Sequence, residues 1–233
     1  MIESPKGRLI AIGDIHGHSK YLNSILDSIS PTKDDAFVFL GDFVDRGPDS
    51  KGVIDSIIEL SQEFKVYSIA GNHEEMMLGA YAGGKEDINF WCKFGGKEAL
   101  QSYGIEHPKN LPYDHIEFIK NCSNYIESEN HIFVHARCNP NLHPSKNDPF
   151  FLRWQKININ DPPHVSGKKI ICGHSCQTKI LNLGHIICID TGAGVLDIGR
   201  LTALDVKSGT FWQFGVNYKK VMVKSLEGVK KDD

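Results

Sequence analysis

The stretch Gly41-Asp42-Phe43-Val44-Asp45-Arg46-Gly47 puts two carboxylates and a guanidinium close together, directly after the apolar run Ala36-Phe37-Val38-Phe39-Leu40. That run is short, β-branched and aromatic, and it is bounded by charged residues and a glycine. It reads as a buried strand. In open α/β sheets, ligands bind at the carboxyl ends of the strands. Burying two carboxylates there is unfavourable by several kcal/mol unless a cation or hydrogen bonds compensate. A metal ion on Asp42 supplies that compensation, and Arg46 then suits an anion that the metal also attracts. Taken alone, the stretch equally fits a helix N-cap with a surface ion pair.

The pattern recurs along the chain. Asp14 and His16 follow a strand at 8–12, Asn72 one at 66–70, His135 one at 131–134 and His174 one at 169–172. A single histidine after a strand is commonly a satisfied turn residue. Three histidines, two aspartates and an asparagine at one sheet edge point instead to metal. Six ligands exceed a tetrahedral zinc with an open position. They suit two divalent ions about 3.5–4 Å apart that share a carboxylate. Asp42 is the expected bridge, because it lies on the middle one of three β-α-β strands. Two such ions outweigh the charges of Asp14 and Asp42, and a bridging hydroxide leaves the site still positive. Such a site attracts phosphate and lowers the pKa of bound water. Arg46 and Arg153 add planar forks that match phosphate oxygens. For Arg153 the competing reading is a surface arginine stacked on Trp154. His73 follows the ligand Asn72, so its side chain is expected beside the metals. There it suits a general acid for the leaving alkoxide, kept protonated by Asp45. The competing reading for His73 is a hydrogen-bonding support.

The elements that must position these groups follow from hydrophobic period. Leu22, Ile25, Leu26 and Ile29 recur at helical spacing and stop at Ser30-Pro31. Val53, Ile54, Ile57 and Ile58 mark a second helix, capped by Asp49 or Ser50. The first third therefore reads β-α-β-α-β, an α/β arrangement with a parallel sheet. From Glu75 to about Asn130 the periods are helical, through Ile116, Ile119, Cys122 and Ile126, with Gly83-Gly84, Gly95-Gly96 and 108–112 as joints. Strands resume at 131–134. A Pro/Asn-rich loop spans 139–167, and strands are expected at 169–172, 186–189, 201–206 and 210–214. Lys219, Lys220, Lys224, Lys230 and Lys231 read as a solvated tail.

Composition sets the outer bounds. The 233 residues are enough for one large domain or a domain with an insertion. The net charge of -3 provides no basic field for nucleic acid. No run approaches the roughly 18 apolar residues of a membrane span, so no membrane partner is expected. Glu3, Lys6 and Arg8 interrupt any leader, which makes the cytoplasm the expected compartment. The six cysteines form no CxxC pair and several sit in apolar runs. Reduced thiols are expected, with Cys172 and Cys176 as the alternative soft ligands beside His174.

The motifs GDIHG at Gly13, GDFVDRG at Gly41 and GNHE at Gly71 resemble those of the phosphoprotein phosphatase family of metallophosphoesterases. WCKFGGKEALQSYG at Trp91, FVHA at Phe133, CGHS at Cys172 and CIDTGA at Cys188 extend the resemblance over nearly the whole chain. Within that family it looks like the small bacterial and phage branch, the lambda protein phosphatase type. The resemblance implies one calcineurin-like domain over 1–233, a metallophosphoesterase-type β-sandwich with β-α-β units flanked by helices and a helical insertion at about 75–130. It implies Asp14, His16 and Asp42 on one metal, and Asp42, Asn72, His135 and His174 on the other. It implies His73 with Asp45 as proton donor, Arg46 and Arg153 on phosphate, and direct attack by metal-bound water or hydroxide without a phospho-enzyme. Manganese is the implied ion, with iron and zinc elsewhere in the family. The implied substrates are phosphoserine and phosphothreonine in proteins, with phosphotyrosine or small phosphoesters as further partners. A sibling reading is a symmetrical bis(5'-nucleosyl)-tetraphosphate hydrolase, and a different class is a phosphate-binding module without catalysis. The chain departs from the eukaryotic members at Ala136-Arg137-Cys138, where they carry two glycines, and at Ser175, where a threonine is frequent. Arg137 is left open as a phosphate contact or a solvated residue.

Overall fold

Leu9–Ile12 (β1), Ala36–Phe39 (β2) and Lys65–Ser68 (β3) run parallel, with β2 in the middle. Ser19–Ile29 (α1) and Ser50–Glu63 (α2) connect them. Asp49 caps α2, its carboxylate accepting from the Gly52 N–H at 2.9 Å. Side chains alternate across a strand. Ile10 and Ile12 of β1, with Phe37 and Phe39 of β2, therefore pack under Leu22, Ile25, Val53, Ile54 and Ile57 of the helices. Leu9, Ala11, Val38 and Leu40 face the other way, onto Phe133, Ile171 and Ile187. Each fully buried isoleucine or phenylalanine contributes roughly 1.5–3 kcal/mol of transfer free energy.

The computed structural model describes residues 1–226. Its first sheet continues past β1 through Arg200–Asp205 (β9), Thr210–Gly215 (β10) and Met222–Ser225 (β11), in the order β11-β10-β9-β1-β2-β3. The second sheet has the order β4-β5-β6-β8-β7. It is built from Tyr125–Glu127 (β4), His131–Val134 (β5), Lys169–Cys172 (β6), Leu181–Asn182 (β7) and Ile186–Cys188 (β8). Its outer face buries Ile132, Val134, Ile170 and Cys172 beneath Leu152. The result is a β-sandwich flanked by helices, as the sequence resemblance implies. Among the described residues no helix is long and apolar enough to cross a membrane.

Between β3 and β4 lie Asn72–Ala82 (α3), Lys85–Trp91 (α4), Lys97–Tyr103 (α5) and Tyr113–Lys120 (α6). A π-turn at Cys92–Gly96 joins α4 to α5, with Gly95 at φ 112°. The expected joint at Gly95-Gly96 is thus real.

Three local expectations are corrected. The helical run stops at Lys120 rather than near 130, because Ile126 sits on β4 opposite Phe133. The spacing of Ile119, Cys122 and Ile126 mimics a helix, but strand pairing decides. The loop at 139–167 contains Pro149–Trp154 (α7), with Asp148 as N-cap and a proline in the first turn. Lys224 belongs to β11, opposite Phe211, rather than to a tail. Lys219 and Lys220 lie in the turn before it, and Lys230 and Lys231 lie outside the described residues.

Candidate metal centre

The loops after β1, β2, β3, β5 and β6 meet at one end of the sandwich. The first two are tied together, since the N–H groups of Ile15 and His16 donate to the Asp42 carbonyl at 3.0 and 2.9 Å. His16, Asp42, Asp45, Arg46 and His174 all hold left-handed backbone, at φ 45°, 52°, 74°, 65° and 59°. Each such non-glycine residue carries strain of about 1–3 kcal/mol and needs its surroundings to enforce it. Glu74 is one enforcer. Its fully buried carboxylate accepts from the N–H groups of Asp42, Phe43 and Gly71, each at 2.8 Å, and from Val44 at 3.4 Å. Burial pushes the Glu74 carboxyl up to about 7, and the charge of Asp42 adds to this. Gly71 has no alternative, because a Cβ there would lie 2.1 Å from Asp42 Oδ1.

Asp42 is the common vertex of two clusters. One holds Asp42, His135 and His174, and the other His16, Asp42 and His73. In the first, His135 Nδ1 donates to the Leu40 carbonyl at 2.9 Å and His174 Nε2 to the Trp154 carbonyl at 3.0 Å. Those backbone carbonyls fix each tautomer, which leaves the facing nitrogens as bare lone pairs. His135 Nε2 then lies 3.1 Å from Asn72 Oδ1, 3.2 Å from His174 Nδ1 and 3.4 Å from Asp42 Oδ1. His174 Nδ1 is also 3.1 Å from Asn72 Oδ1. Acceptors crowded at these distances repel one another unless a cation lies among them, so this donor set fits a metal ion.

In the second cluster His16 Nδ1 donates to the Val44 carbonyl at 3.1 Å, and Nε2 lies 3.6 Å from Asp42 Oδ2. Arg46 donates to that same Nε2 at 2.6 Å. Burial holds His16, His135 and His174 below the usual histidine range, with His135 at about 4, so all three are neutral imidazoles at neutral pH. Burial opposes the Asp42 charge, yet His135, His73, His16 and His174 together hold its carboxyl well below the usual range. Asp14 accepts from the His174 N–H at 3.1 Å, and burial followed by the charges of Asp190 and Asp42 pushes it well up. Asp14, His135 and His174 thus come together at this end of the sandwich.

His73 differs from the other imidazoles. Its Nδ1 donates to Asp45 Oδ2 at 2.6 Å, and its Nε2 stands 4.0 Å from Asp42 Oδ2. Burial works against its charge, but Asp42 and Asp45 raise it overall. His73 therefore carries a proton where His16 offers a lone pair. Asp45 is fully buried, and burial pushes it up to about 6, against the hydrogen bonds from His73 and Trp91. Trp91 Nε1 donates to both Asp45 oxygens, at 2.9 and 3.0 Å.

Arg153 on α7 donates to Glu75 Oε2 at 2.8 Å and to Asn124 Oδ1 at 2.5 Å, and its buried Nε has no hydrogen-bond partner. Glu75 stands three residues after Asn72 on α3, and Trp154, the residue after Arg153, offers its carbonyl to His174, which ties the Arg153 segment to the centre. Trp154 stacks on Phe150 instead of on Arg153. Arg137 fits neither reading left open for it, since it makes a two-pronged pair with Asp161 at 2.7 and 2.6 Å. All six cysteines are free, and neither ligand cluster includes one.

Glu74, Trp91 and Asp190 were not singled out from the sequence. All three lie within quoted motifs, but the distant partners of Glu74 and Trp91 are 30 to 46 residues away, and those of Glu74 are backbone N–H groups. Asp190 follows β8 at the same sheet edge, which is the signal that could have found it. Its carboxylate accepts from the Gly192 N–H at 2.9 Å, and burial pushes it up to about 6.

Residues 7–178 match the sequence profile of the family described as calcineurin-like phosphoesterase. The chain is 35% identical over 203 residues to serine/threonine-protein phosphatase 1 of Salmonella typhimurium, covering 82% of this chain and 90% of that protein. It is 26% identical over 206 residues to bis(5'-nucleosyl)-tetraphosphatase PrpE [asymmetrical] of Oceanobacillus iheyensis, covering 78% and 82%. A crystal structure of a cold-active protein-tyrosine phosphatase from a psychrophilic Shewanella superposes with TM-score 0.65 at 18% identity, covering 93% of this chain and 80% of that one. That last likeness is one of fold.

Proposed function

We propose, on the premise that the chain belongs to the calcineurin-like phosphoesterase family, that it hydrolyses phosphomonoesters, with phosphoserine and phosphothreonine in proteins as the leading substrates and phosphotyrosine as a further one. The observation that carries this reading is the convergence of His135 Nε2, His174 Nδ1, Asn72 Oδ1 and Asp42 Oδ1 as lone pairs with no proton among them. Asp14, His16 and Asp42 would hold one divalent ion, and Asp42, Asn72, His135 and His174 the other, with manganese as the expected metal. When bound, the ions supply a positive field for phosphate and a lowered pKa for water.

The chain's own groups do the rest. Arg46 and Arg153 orient the phosphate oxygens, Arg46 from beside His16 and Arg153 from its place on Glu75. His73 Nε2 gives its proton to the leaving oxygen as the phosphorus–oxygen bond breaks, while water supplies the entering oxygen. Asp45 keeps that imidazole charged until the transfer, and Trp91 keeps Asp45 charged. The name of the Oceanobacillus relative supports the second reading, a dinucleoside tetraphosphatase. We further take 1–233 as one phosphoesterase domain with α3–α6 as its insertion, acting in the cytoplasm.

The test is hydrolysis of p-nitrophenyl phosphate by protein stripped with chelator and reloaded with manganese, iron or zinc, beside a metal count by mass spectrometry. Metal-dependent turnover with two ions bound is expected. Two bound ions with no turnover of this ester, of a phosphoserine peptide or of a dinucleoside tetraphosphate would leave only a binding module.

A further inference from the structure

A pocket of about 370 Å³ lies against Arg46, lined by Arg46, Cys92, Lys93, Phe94, Gly95 and Glu98. It borders the centre described above. Arg46 reaches His16 on one side, and on the other its N–H donates to the Gly95 carbonyl at 3.3 Å. Gly95 is what allows this closeness. It sits at φ 112°, and a Cβ there would lie 2.5 Å from the Arg46 nitrogen and 2.8 Å from its Cγ. The π-turn is therefore pressed onto the arginine, and its side chains form the wall next to the phosphate position.

The composition of that wall is unusual for a solvated surface. Phe94 is 40% exposed and Phe90 47%, and their rings pack against each other at 5.1 Å with a 58° tilt. Phe94, which lines the pocket, thus leaves a ring face open on which a planar ring can stack, with Phe90 packed against it from outside the lining. Lys93 adds a cation one residue away, and Glu98 adds an acceptor. The same turn directly follows Trp91, which holds Asp45 and through it His73. The group that leaves with the proton of His73 thus departs beside this wall. A seryl or threonyl side chain would use none of the aromatic surface.

We propose that this pocket is the leaving-group subsite of the phosphoesterase centre and that it receives an aromatic ring, either the phenol ring of a tyrosyl phosphate or the base of a nucleoside polyphosphate. The assignment rests on the phosphoesterase reading above and adds the class of the group released. Phe94 carries the stack, Phe90 supports Phe94, and Lys93 faces whatever negative charge the leaving group retains.

The experiment compares kcat/KM under manganese for three substrates: a phosphoserine peptide, the phosphotyrosine peptide of the same sequence, and a dinucleoside tetraphosphate. Wild-type protein, Phe94→Ala and Phe94→Trp are measured together. For Phe94→Ala the aromatic-to-seryl ratio is expected to fall by about 5- to 50-fold, the range of a lost stacking contact, and Phe94→Trp is expected to restore it. A ratio that stays within about twofold of wild type in both variants overturns the subsite. Lys93→Ala names the ring's carrier: a loss on the tetraphosphate, whose leaving group keeps phosphate charge, assigns the nucleotide, and a loss on neither aromatic substrate assigns the tyrosyl ester, whose protonated phenol is neutral. Wild-type protein that turns over none of the three refutes the phosphoesterase reading itself, which a changed or unchanged ratio does not touch. Circular dichroism and the metal count check that each variant is folded and loaded.

Discussion

Replacing Trp91 with phenylalanine tests how the proton donor is held. The indole N–H bonds both oxygens of Asp45, and neither residue has solvent access. A hydrogen bond to a charged group contributes about 1.5–3 kcal/mol, and one pH unit of titration corresponds to about 1.36 kcal/mol. The sign follows from which form the bond favours. Trp91 donates to the carboxylate, so its loss favours the protonated acid and raises the Asp45 pKa. Burial already sets Asp45 at about 6. The acid limb of kcat, below which Asp45 no longer holds the imidazolium of His73, should therefore move up by about one to two pH units in Trp91→Phe. The smaller ring also leaves a cavity, which lowers stability by roughly 1–3 kcal/mol but does not move a pH limb. The assay is the pH dependence of kcat on p-nitrophenyl phosphate under saturating manganese, between pH 5 and 9. An acid limb at the wild-type position, with turnover and metal content retained, would refute the role of Trp91. A limb displaced to lower pH would refute the sign of the reasoning.

His73→Asn is expected to lower kcat by roughly 10²- to 10⁴-fold while both metal positions stay filled, and unchanged turnover would remove His73 as the acid. Asp42→Asn takes away the shared vertex of both clusters, so metal analysis should show both positions weakened; two full equivalents would contradict the bridge. Glu74→Ala leaves four backbone N–H groups without their acceptor, and urea unfolding should show a loss above about 3 kcal/mol. A loss below about 1 kcal/mol would show that the Asp42 loop keeps its shape without Glu74.

The central strands and the ligands after them were legible because buried strands are written as dense β-branched and aromatic runs. The place of Asp14, Asp42, Asn72, His135 and His174 follows from where each run stops. What escaped was set by partners rather than by local sequence. Tyr125–Glu127 and Met222–Ser225 are short edge strands with half-exposed faces, and their pairing with β5 and β10 decides their conformation. Glu74 looks like an ordinary helix-start carboxylate until the Asp42 loop folds over it. Trp91 looks like core, and it is buried, but its one polar atom reaches a carboxylate 46 residues away. Arg137 directly follows the FVHA motif, yet its Nε and one terminal nitrogen are taken by Asp161.

His135 belongs to the second sheet, yet its ring is anchored to Leu40 at the end of β2 in the first. Asp14, His16, Asp42 and Asn72 come from loops of the six-stranded layer, and His135 and His174 from the five-stranded one. An ion drawing on both sets would act as a rivet through the two layers. Sliding one layer against the other would pull the rivet apart, so with the ion bound, cation occupancy and the mechanical union of the sandwich would become one property.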